Sequence, residues 1–272
     1  MLFTEAPSLD ALCEVVNRTD AIRELSTNSA RVDVTSMTGS PTLSGAMNLR
    51  RDREFRMKAS LPVGFMGVDI GSNANRFWLE VPEVSSRTLY YANHQEYARQ
   101  LDRAVLPVDP TWLIDAIGLV HIDPTNVVQG PVTRPDGLYE VRALMRRPDG
   151  VYQRVYMVSP GGYVVHQQVY SPNAQLIARS TASQHRLYEE GSIALPHQVQ
   201  FSLLPVGGPE LSMRLEIGDY AVNQLLSGDP NLFTMPQGAT NAIDLTRLSA
   251  TPSLSTTSTY VATPSLRLPL RR

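Results

Sequence analysis

Hydrophobic and polar residues alternate along residues 46–81 in the manner of three consecutive β-strands. Apolar side chains occupy every second position from residue 55 to residue 61, and polar or small side chains lie between them. This period of two predicts an antiparallel strand with one buried and one wet face. After Pro62 and Gly64, residues 65–70 predict a short second strand, Gly71-Ser72-Asn73 predicts a turn, and the alternation resumes at residue 77.

Further runs of β-favouring residues flank this stretch on both sides. Alternation predicts a first strand over residues 31–37 and another strand over residues 87–92. From residue 127 to residue 217, turn clusters rich in Pro, Asp, Asn and Gly separate successive runs, which predicts a meander of antiparallel strands. These runs span residues 138–145, 151–158, 163–170, 175–183, 198–204 and 211–217.

Helical patterns are few and short. Ser8 can cap a helix with an apolar stripe at helical spacing that reaches about Leu25, with an interruption near residues 17–20. A weaker helical pattern covers residues 94–103. An Asp-Pro-Thr start signal precedes a helix over residues 112–118, whose apolar face must cover another part of the fold.

Composition narrows the class of protein. A chain of 272 residues, 42% hydrophobic and 18% charged, can bury a core and is typical of globular proteins. A net charge of −2 argues against nucleic acid as a partner, because phosphate binding requires a basic surface. Cys13 is the single cysteine, so no disulfide can form within the chain. The Ser/Thr/Pro-rich end predicts one folded domain over residues 1–240 and a disordered tail over residues 241–272.

Two pieces of the sequence resemble one family. A strand that ends in Asn48-Leu49-Arg50-Arg51 precedes Arg53-Glu54-Phe55-Arg56-Met57, an apolar run and Asn75-Arg76-Phe77-Trp78-Leu79. Near the far end, Val222-Asn223-Gln224 and residues 230–238 finish in a Phe-x-x-Pro-x-Gly pattern. In the order of their elements, these motifs resemble the LolA/LolB-type envelope carriers.

The resemblance implies a fold, a location and a role. Such carriers wrap a curved antiparallel sheet around helices and hold lipoprotein acyl chains inside. The chain is therefore expected to be mainly β (α+β), with its sheet forming a half-open barrel and helices covering the concave side. It is expected in the periplasm or at the outer membrane, with any export signal or lipid anchor outside this chain. Arg51 matches the family arginine that matters for cargo release; an ordinary solvated charge at a strand end is the alternative.

Motifs for catalysis or metal binding do not emerge from the sequence. The five histidines are scattered, without a spacing that would place two metal ligands on one face, so neither a metal nor another cofactor is expected. Asp109, Asp115 and Asp123 could pair as carboxylates for acid–base chemistry, but helix caps and solvated faces explain them more simply. The sequence thus names no catalytic residue.

Apolar residues on the strands and on the helix at residues 112–118 are the candidate ligand-binding residues. They could enclose an acyl chain, because each buried methylene contributes about 0.8 kcal/mol without directional partners; the alternative is a filled core. The candidates are Phe55, Met57, Leu61, Phe65, Phe77, Leu79, Trp112, Leu113 and Ile117.

Three functions follow from these features. The first is a monomeric, non-enzymatic carrier for the acyl chain of a lipid or lipoprotein in the bacterial envelope. The second is an envelope scaffold that uses the same fold without cargo and binds another protein through an exposed patch or sheet edge. A hydrolase with dispersed catalytic residues is the third, and it would require a polar cleft with a perturbed titratable group.

Overall fold

The helices of the protein are short. A computed structural model describes residues 2–34, 42–51, 53–61, 67–82, 87–100, 107–108, 112–188, 192–205 and 210–248. Its helices are α1 (Leu9–Val16), α2 (His94–Arg99) and α3 (Trp112–Ala116), with 3₁₀ helices at Asn17–Ala21, Pro124–Asn126 and Leu245–Arg247. Within these ranges, no helix has the length and apolar character needed to cross a membrane.

Strands make up most of the described chain. The first part contributes β1 (Glu24–Val34), β2 (Thr42–Arg50), β3 (Glu54–Ser60), β4 (Gly67–Ser72), β5 (Arg76–Pro82) and β6 (Arg87–Asn93). The second part contributes β7 (Val127–Thr133), β8 (Tyr139–Arg147), β9 (Gly150–Val158), β10 (Val164–Tyr170), β11 (Leu176–Tyr188), β12 (Ile193–Leu203) and β13 (Leu211–Ile217). The short β14 (Ala221–Val222) and β15 (Asn241–Asp244) follow.

The described strands form one open sheet. Its order is β15-β6-β5-β4-β3-β2-β1-β13-β12-β11-β10-β9-β8-β7, with β14 paired to β1. The order does not return to its start, so the sheet is not closed into a barrel. Pairing is antiparallel throughout this order except between β15 and β6, which are parallel. The mainly β prediction is therefore confirmed, whereas the expectation of a purely antiparallel sheet is wrong at the β15 edge.

The N-terminal helix is shorter than its sequence pattern predicts. Ser8 caps α1 as expected, accepting a hydrogen bond from the backbone N–H of Ala11 at 3.2 Å. The helix ends at Val16, a 3₁₀ turn follows at the expected interruption, and Leu25 lies in β1. Leu25 is fully buried and pairs with Leu49, so tertiary pairing outweighs the helical spacing there.

The expected turn at Gly71-Ser72-Asn73 begins later than predicted. Gly71 and Ser72 still belong to β4, and the chain turns between Asn73 and Arg76, whose backbone groups bond at 2.9 Å. A Cβ on Gly71 would lie 2.1 Å from Cζ2 of Trp78, so glycine leaves room for the indole over the strand. Here glycine serves close packing and not a turn.

The buried side chains form two clusters. The larger cluster joins inward residues of β1–β6 to residues of α3 and of β11–β13. The smaller one packs α1 against β8, β9 and β10, with Leu12 and Val158 fully buried at its centre. Most strands bury one face, in agreement with the predicted alternation. On β3, the side chains of Phe55 and Met57 point into the larger cluster.

The face of β3 opposite this cluster is not fully wet, contrary to the sequence prediction. Arg56 lies on it with only 8% of its surface exposed, because its guanidinium binds both carboxylate oxygens of Asp69 at 3.1 and 2.7 Å. The indole N–H of Trp78 donates to the same Asp69 at 3.2 Å. Lys58, two residues further along, is exposed as expected.

Residues 223–240, the crossing segment, cover this polar face. Arg56 donates to the carbonyl of Leu232 at 2.9 Å, and the side-chain amide of Asn73 donates to that of Phe233 at 3.1 Å. The segment then leads into β15, which pairs with β6. The folded part thus continues past the expected boundary at residue 240, because β6 offers β15 an edge to pair with. Residues 249–272 of the expected tail lie outside the described residues.

Candidate functional site

The structure gathers the predicted ligand-binding residues into the larger hydrophobic cluster. Six of them are buried there, and Leu61 and Leu79 pack against it. Phe65 lies outside the described residues. The six buried residues are Phe55, Met57, Phe77, Trp112, Leu113 and Ile117. Neither of the two cavities presented below is lined by any of these candidate residues.

Trp112 has an unusual setting in this core. Its ring meets that of Phe201 edge to face, with centroids 6.4 Å apart. Its indole Nε1 is buried and has no hydrogen-bond partner among the residues that the structure describes. A buried donor without a partner costs about 1–3 kcal/mol, so this position is less favourable than the surrounding core.

Arg51 is not the solvated charge that one alternative predicted. Only 14% of its side chain is exposed, and its Nη1 lies 2.7 Å from Oδ1 of Asp20. Its Nη2 donates to the carbonyl of Thr19 at 3.1 Å and, at 3.5 Å, to that of Leu119. Arg51 therefore ties the β2–β3 turn to the 3₁₀ helix after α1 and to the segment after α3.

These last two segments are also bonded to each other. Thr19 Oγ1 donates to the carbonyl of Val120 at 2.9 Å. The side chain of Asn17 both donates to and accepts from the backbone of Ile122, at 2.9 and 2.8 Å. His121 Nδ1 lies 2.7 Å from the second carboxylate oxygen of Asp20. Residues 17–20 and 118–122 thus form one bonded unit that Arg51 holds to the sheet.

This unit forms part of the wall of a cavity of about 430 Å³, the α1 cavity. The cavity lies between the two hydrophobic clusters, because Val16, Val120 and Val164 belong to the smaller cluster and Ile193 belongs to the larger one. The remaining lining residues are Leu2, Val15, Arg18, Thr19, Gly118, Gly161, Gly162, Tyr163, His185, Leu187, Ser192 and Ala194. Pockets of about 300–1,000 Å³ hold small ligands in proteins.

The mouth and wall of the α1 cavity combine apolar and polar groups. Leu2 and Leu187 are 51% and 69% exposed, and Arg18 is exposed as well. The ring of His185 stacks on that of Tyr163, with centroids 4.0 Å apart. Burial, with a smaller contribution from the charge of His197, lowers the pKa of His185 to about 4. The imidazole is therefore neutral at neutral pH.

A second cavity, of about 480 Å³, is more polar. It spans β1, β2, β11, β12 and β13, and strand irregularities border it: a register shift between Thr27 and Ala30, and Gln184 with a φ of 54°. His197 at this cavity is buried, with Nδ1 donating to the carbonyl of Ile217 at 2.7 Å. Because Nδ1 of His197 carries the proton of this bond, its Nε2 is the acceptor, and the hydroxyl of Tyr188 donates to it at 2.8 Å.

The carboxylates suggested for acid–base chemistry lie in different settings. Asp123 caps the 3₁₀ helix Pro124–Asn126 by accepting from the backbone N–H of Thr125 at 2.9 Å, as the simpler interpretation expects. Asp115 forms a 2.6 Å ion pair with the buried Arg154 and so anchors α3 to β9. Asp109 lies outside the described residues.

Sequence patterns did not reveal the residues of the α1 cavity. They come from α1, the β9–β10 turn, the β11–β12 hairpin and the segment after α3, which are far apart in the chain. The exposure of the large apolar side chain of Leu187 sets it apart, but this exposure depends on how the hairpin folds.

Comparison with solved structures identifies the fold. A putative outer membrane lipoprotein-sorting protein domain from Vibrio parahaemolyticus superposes with a TM-score of 0.53 and 11% identity, over 83% of this chain and 97% of its own. A DUF1329 family protein from Desulfovibrio piger gives 0.50 and 11%, over 80% and 95%. A LolA superfamily protein from Nitrosomonas europaea gives 0.45 and 13%, over 85% and 99%.

No protein-family model matches the sequence, and no curated protein sequence does. The lipoprotein-sorting domain nonetheless covers most of the chain with the same architecture. The protein therefore has a LolA-like fold, as the sequence motifs predicted.

Proposed function

We propose that this protein binds an acyl chain of a lipid or lipoprotein in the bacterial cell envelope, without catalysing a reaction. The observation that carries the proposal is the α1 cavity, which opens between two hydrophobic clusters and is walled by the segments that Arg51 holds together. The lipoprotein-sorting description of a neighbour with the same fold supports this choice of ligand.

The aliphatic part of the cavity wall suits an acyl chain. Valine, leucine and isoleucine side chains form much of its wall, and they require no directional partner from a ligand. Burying each methylene there would contribute about 0.8 kcal/mol. A chain of a dozen methylenes would gain enough to offset the loss of its own freedom on binding.

The predicted ligand-binding residues form the deeper part of the proposed site. Ile193 lines the α1 cavity and belongs to the same cluster as Phe77 and Trp112. An acyl chain that passed Gly118 would reach this cluster, to which α3 belongs and which α3 would cover from the concave side of the sheet. Trp112 Nε1, buried and without a partner in the described structure, is a group that a ligand could satisfy there.

Arg51 is the proposed control point for entry and release. It holds residues 17–20 and 118–122 against the β2–β3 turn, and both segments line the α1 cavity. For the chain to move from the cavity into the cluster, these segments must separate from the turn. Breaking the Arg51 contacts would open the path, and restoring them would favour the empty state.

The setting of the proposed function is the envelope. We propose a periplasmic or outer-membrane-associated protein that acts as a monomer and passes its ligand to, or receives it from, another envelope component. The sorting role named for the neighbour from Vibrio parahaemolyticus supports this location.

Native mass spectrometry of gently purified protein, followed by organic extraction, tests the proposal. A stoichiometric lipid or acyl adduct is the expected result. The Ala194→Phe variant, which fills the α1 cavity, should lose the adduct, whereas Ser44→Phe at the second cavity should keep it. A clean apo mass that persists after incubation with phospholipid and with an acylated peptide would contradict the proposal.

Fluorescence quenching by a brominated lipid tests how far the chain extends. The protein has two tryptophans, Trp112 in the core and Trp78 on the opposite face of the sheet. The wild type should lose emission on adding the lipid, and Trp112→Phe, which retains Trp78, should not. Equal quenching of both proteins would show that the chain does not reach the predicted ligand-binding residues.

The second candidate function is an envelope scaffold without cargo. Edge strand β7 favours it, since Val128 and Val132 are 57% and 45% exposed there, and an exposed edge can pair with a strand of another protein. In that case purified protein would carry no lipid, and a Val128→Lys/Val132→Lys variant would lose a partner that the wild type retains.

A further inference from the structure

One charged side chain stands out among the described residues that line the α1 cavity. Arg18 carries a charge at neutral pH, and the lining residues that the structure describes include no carboxylate. Arg18 is exposed at the cavity and has no ion-pair or hydrogen-bond partner among the described residues. An unpaired guanidinium at the mouth of the cavity favours an anionic group on the ligand.

His185 adds an uncharged polar group to the wall. Its ring stacks on Tyr163, and within the described structure neither ring nitrogen has a hydrogen-bond partner. Because its environment keeps the ring neutral, one nitrogen is a donor and the other an acceptor. A neutral imidazole in the cavity wall suits a carbonyl or hydroxyl group better than a charged one.

These groups are arranged in an order. Val16, Val164 and Ile193 are buried, His185 is partly buried, and Arg18 is exposed, so burial decreases from the aliphatic residues to the charged one. An amphiphile bound with its acyl chain innermost would place the chain at apolar groups, its middle at an uncharged polar group and its head at a cationic group. This sequence of environments matches the acyl chain, ester and phosphate of a glycerophospholipid.

We propose that the α1 cavity recognises an anionic ester-linked phospholipid, with the ester carbonyl at His185 and the phosphate at Arg18. The proposal rests on the function proposed above and narrows its ligand. Leu2 and Leu187, exposed at the mouth, would contact the upper part of the chains as the lipid enters.

Short-chain phospholipids that stay monomeric in solution allow a direct test by calorimetric titration. Wild type should bind dihexanoyl phosphatidylglycerol about two- to fivefold tighter than dihexanoyl phosphatidylcholine at low ionic strength, the size of one exposed ion pair. The preference should shrink with added salt. Arg18→Gln should remove it, whereas Arg31→Gln, an exposed arginine at the second cavity, should retain it.

The role of His185 is tested with a diether analogue of phosphatidylglycerol, which lacks the ester carbonyl. Wild type should prefer the diester by about fivefold, the contribution of one hydrogen bond. His185→Phe keeps a ring against Tyr163 and should bind both lipids equally, and so should His185→Leu. His166→Phe, a histidine bonded to Thr181 and outside this cavity, should keep the preference.

The outcomes separate the two proposals. If wild type binds these phospholipids but does not distinguish the headgroups or the ester, this inference is wrong and the acyl-binding function stands. A headgroup preference that persists in Arg18→Gln also overturns this inference. So does a preference for the diester that persists in both His185 variants. If no lipid binds wild type at all, both proposals fail.

Discussion

Arg51 Nη1 and Asp20 Oδ1 lie 2.7 Å apart and join two parts of the chain that are 31 residues apart in sequence. The same guanidinium reaches two backbone carbonyls, so one side chain holds the β2–β3 turn, the 3₁₀ helix after α1 and the segment after α3. Arg51 therefore holds one part of the wall of the α1 cavity to the sheet.

Replacing Arg51 with methionine should lower the free energy of unfolding by about 1–3 kcal/mol, because buried carbonyls lose their donor. Urea unfolding measures this loss. Arg50→Met provides the control, since the side chain of Arg50 is 48% exposed and its ion pairs should contribute at most about 1 kcal/mol. Hydrogen exchange should also quicken in residues 17–21 and 118–122 of Arg51→Met, and unchanged exchange there would contradict the proposed holding role.

The ion pair between Arg56 and Asp69 predicts a larger effect on the opposite face of the sheet. Both residues are less than 9% exposed, at 8% and 7%, so Arg56→Met leaves a buried carboxylate without its counter-charge. The expected loss is about 3–5 kcal/mol in urea unfolding. Arg56→Met/Asp69→Asn should recover part of it, because the uncompensated charge is gone. A loss below that of Arg50→Met would show that water enters beneath the crossing segment.

His185 predicts a pH dependence of stability. Its pKa is about 4 in the folded chain, below the ordinary value of 6.5, so between these values the unfolded chain binds the extra proton. Stability should therefore fall as pH decreases from about 6.5 to about 4, by at most about 3 kcal/mol from this group. His185→Phe should lack this part of the slope. Identical slopes in variant and wild type would contradict the low pKa.

Strand β15 predicts a difference between two truncations. A chain that stops after Leu248 keeps β15 on β6, whereas one that stops after Gly238 removes it and exposes the edge of β6. We expect the chain that ends at Leu248 to unfold at the wild-type temperature. The chain that ends at Gly238 should melt at a lower temperature and aggregate, as followed by circular dichroism and light scattering. Equal melting of both would show that β15 adds nothing to the sheet.

The sequence by itself determined the local structure. The alternation at residues 55–61 predicted which face of β3 is buried, Ser8 marked the start of α1, and the turn clusters placed the strands from β8 to β11. These features depend on neighbouring residues, since a strand alternates its side chains and a cap bonds within one turn. Motifs along residues 48–79 and 222–238 were enough to predict the LolA-like fold.

Only the tertiary structure decided what covers each face and where space remains. Alternation placed Arg56 on the wet face, but the crossing segment, more than 160 residues later, buries it through the carbonyl of Leu232. Helical spacing suggested that Leu25 was helical, but pairing with β2 made it extended. The α1 cavity lies where four distant segments meet without filling the space between two clusters. Because such packing depends on contacts between residues remote in sequence, no local pattern could reveal it.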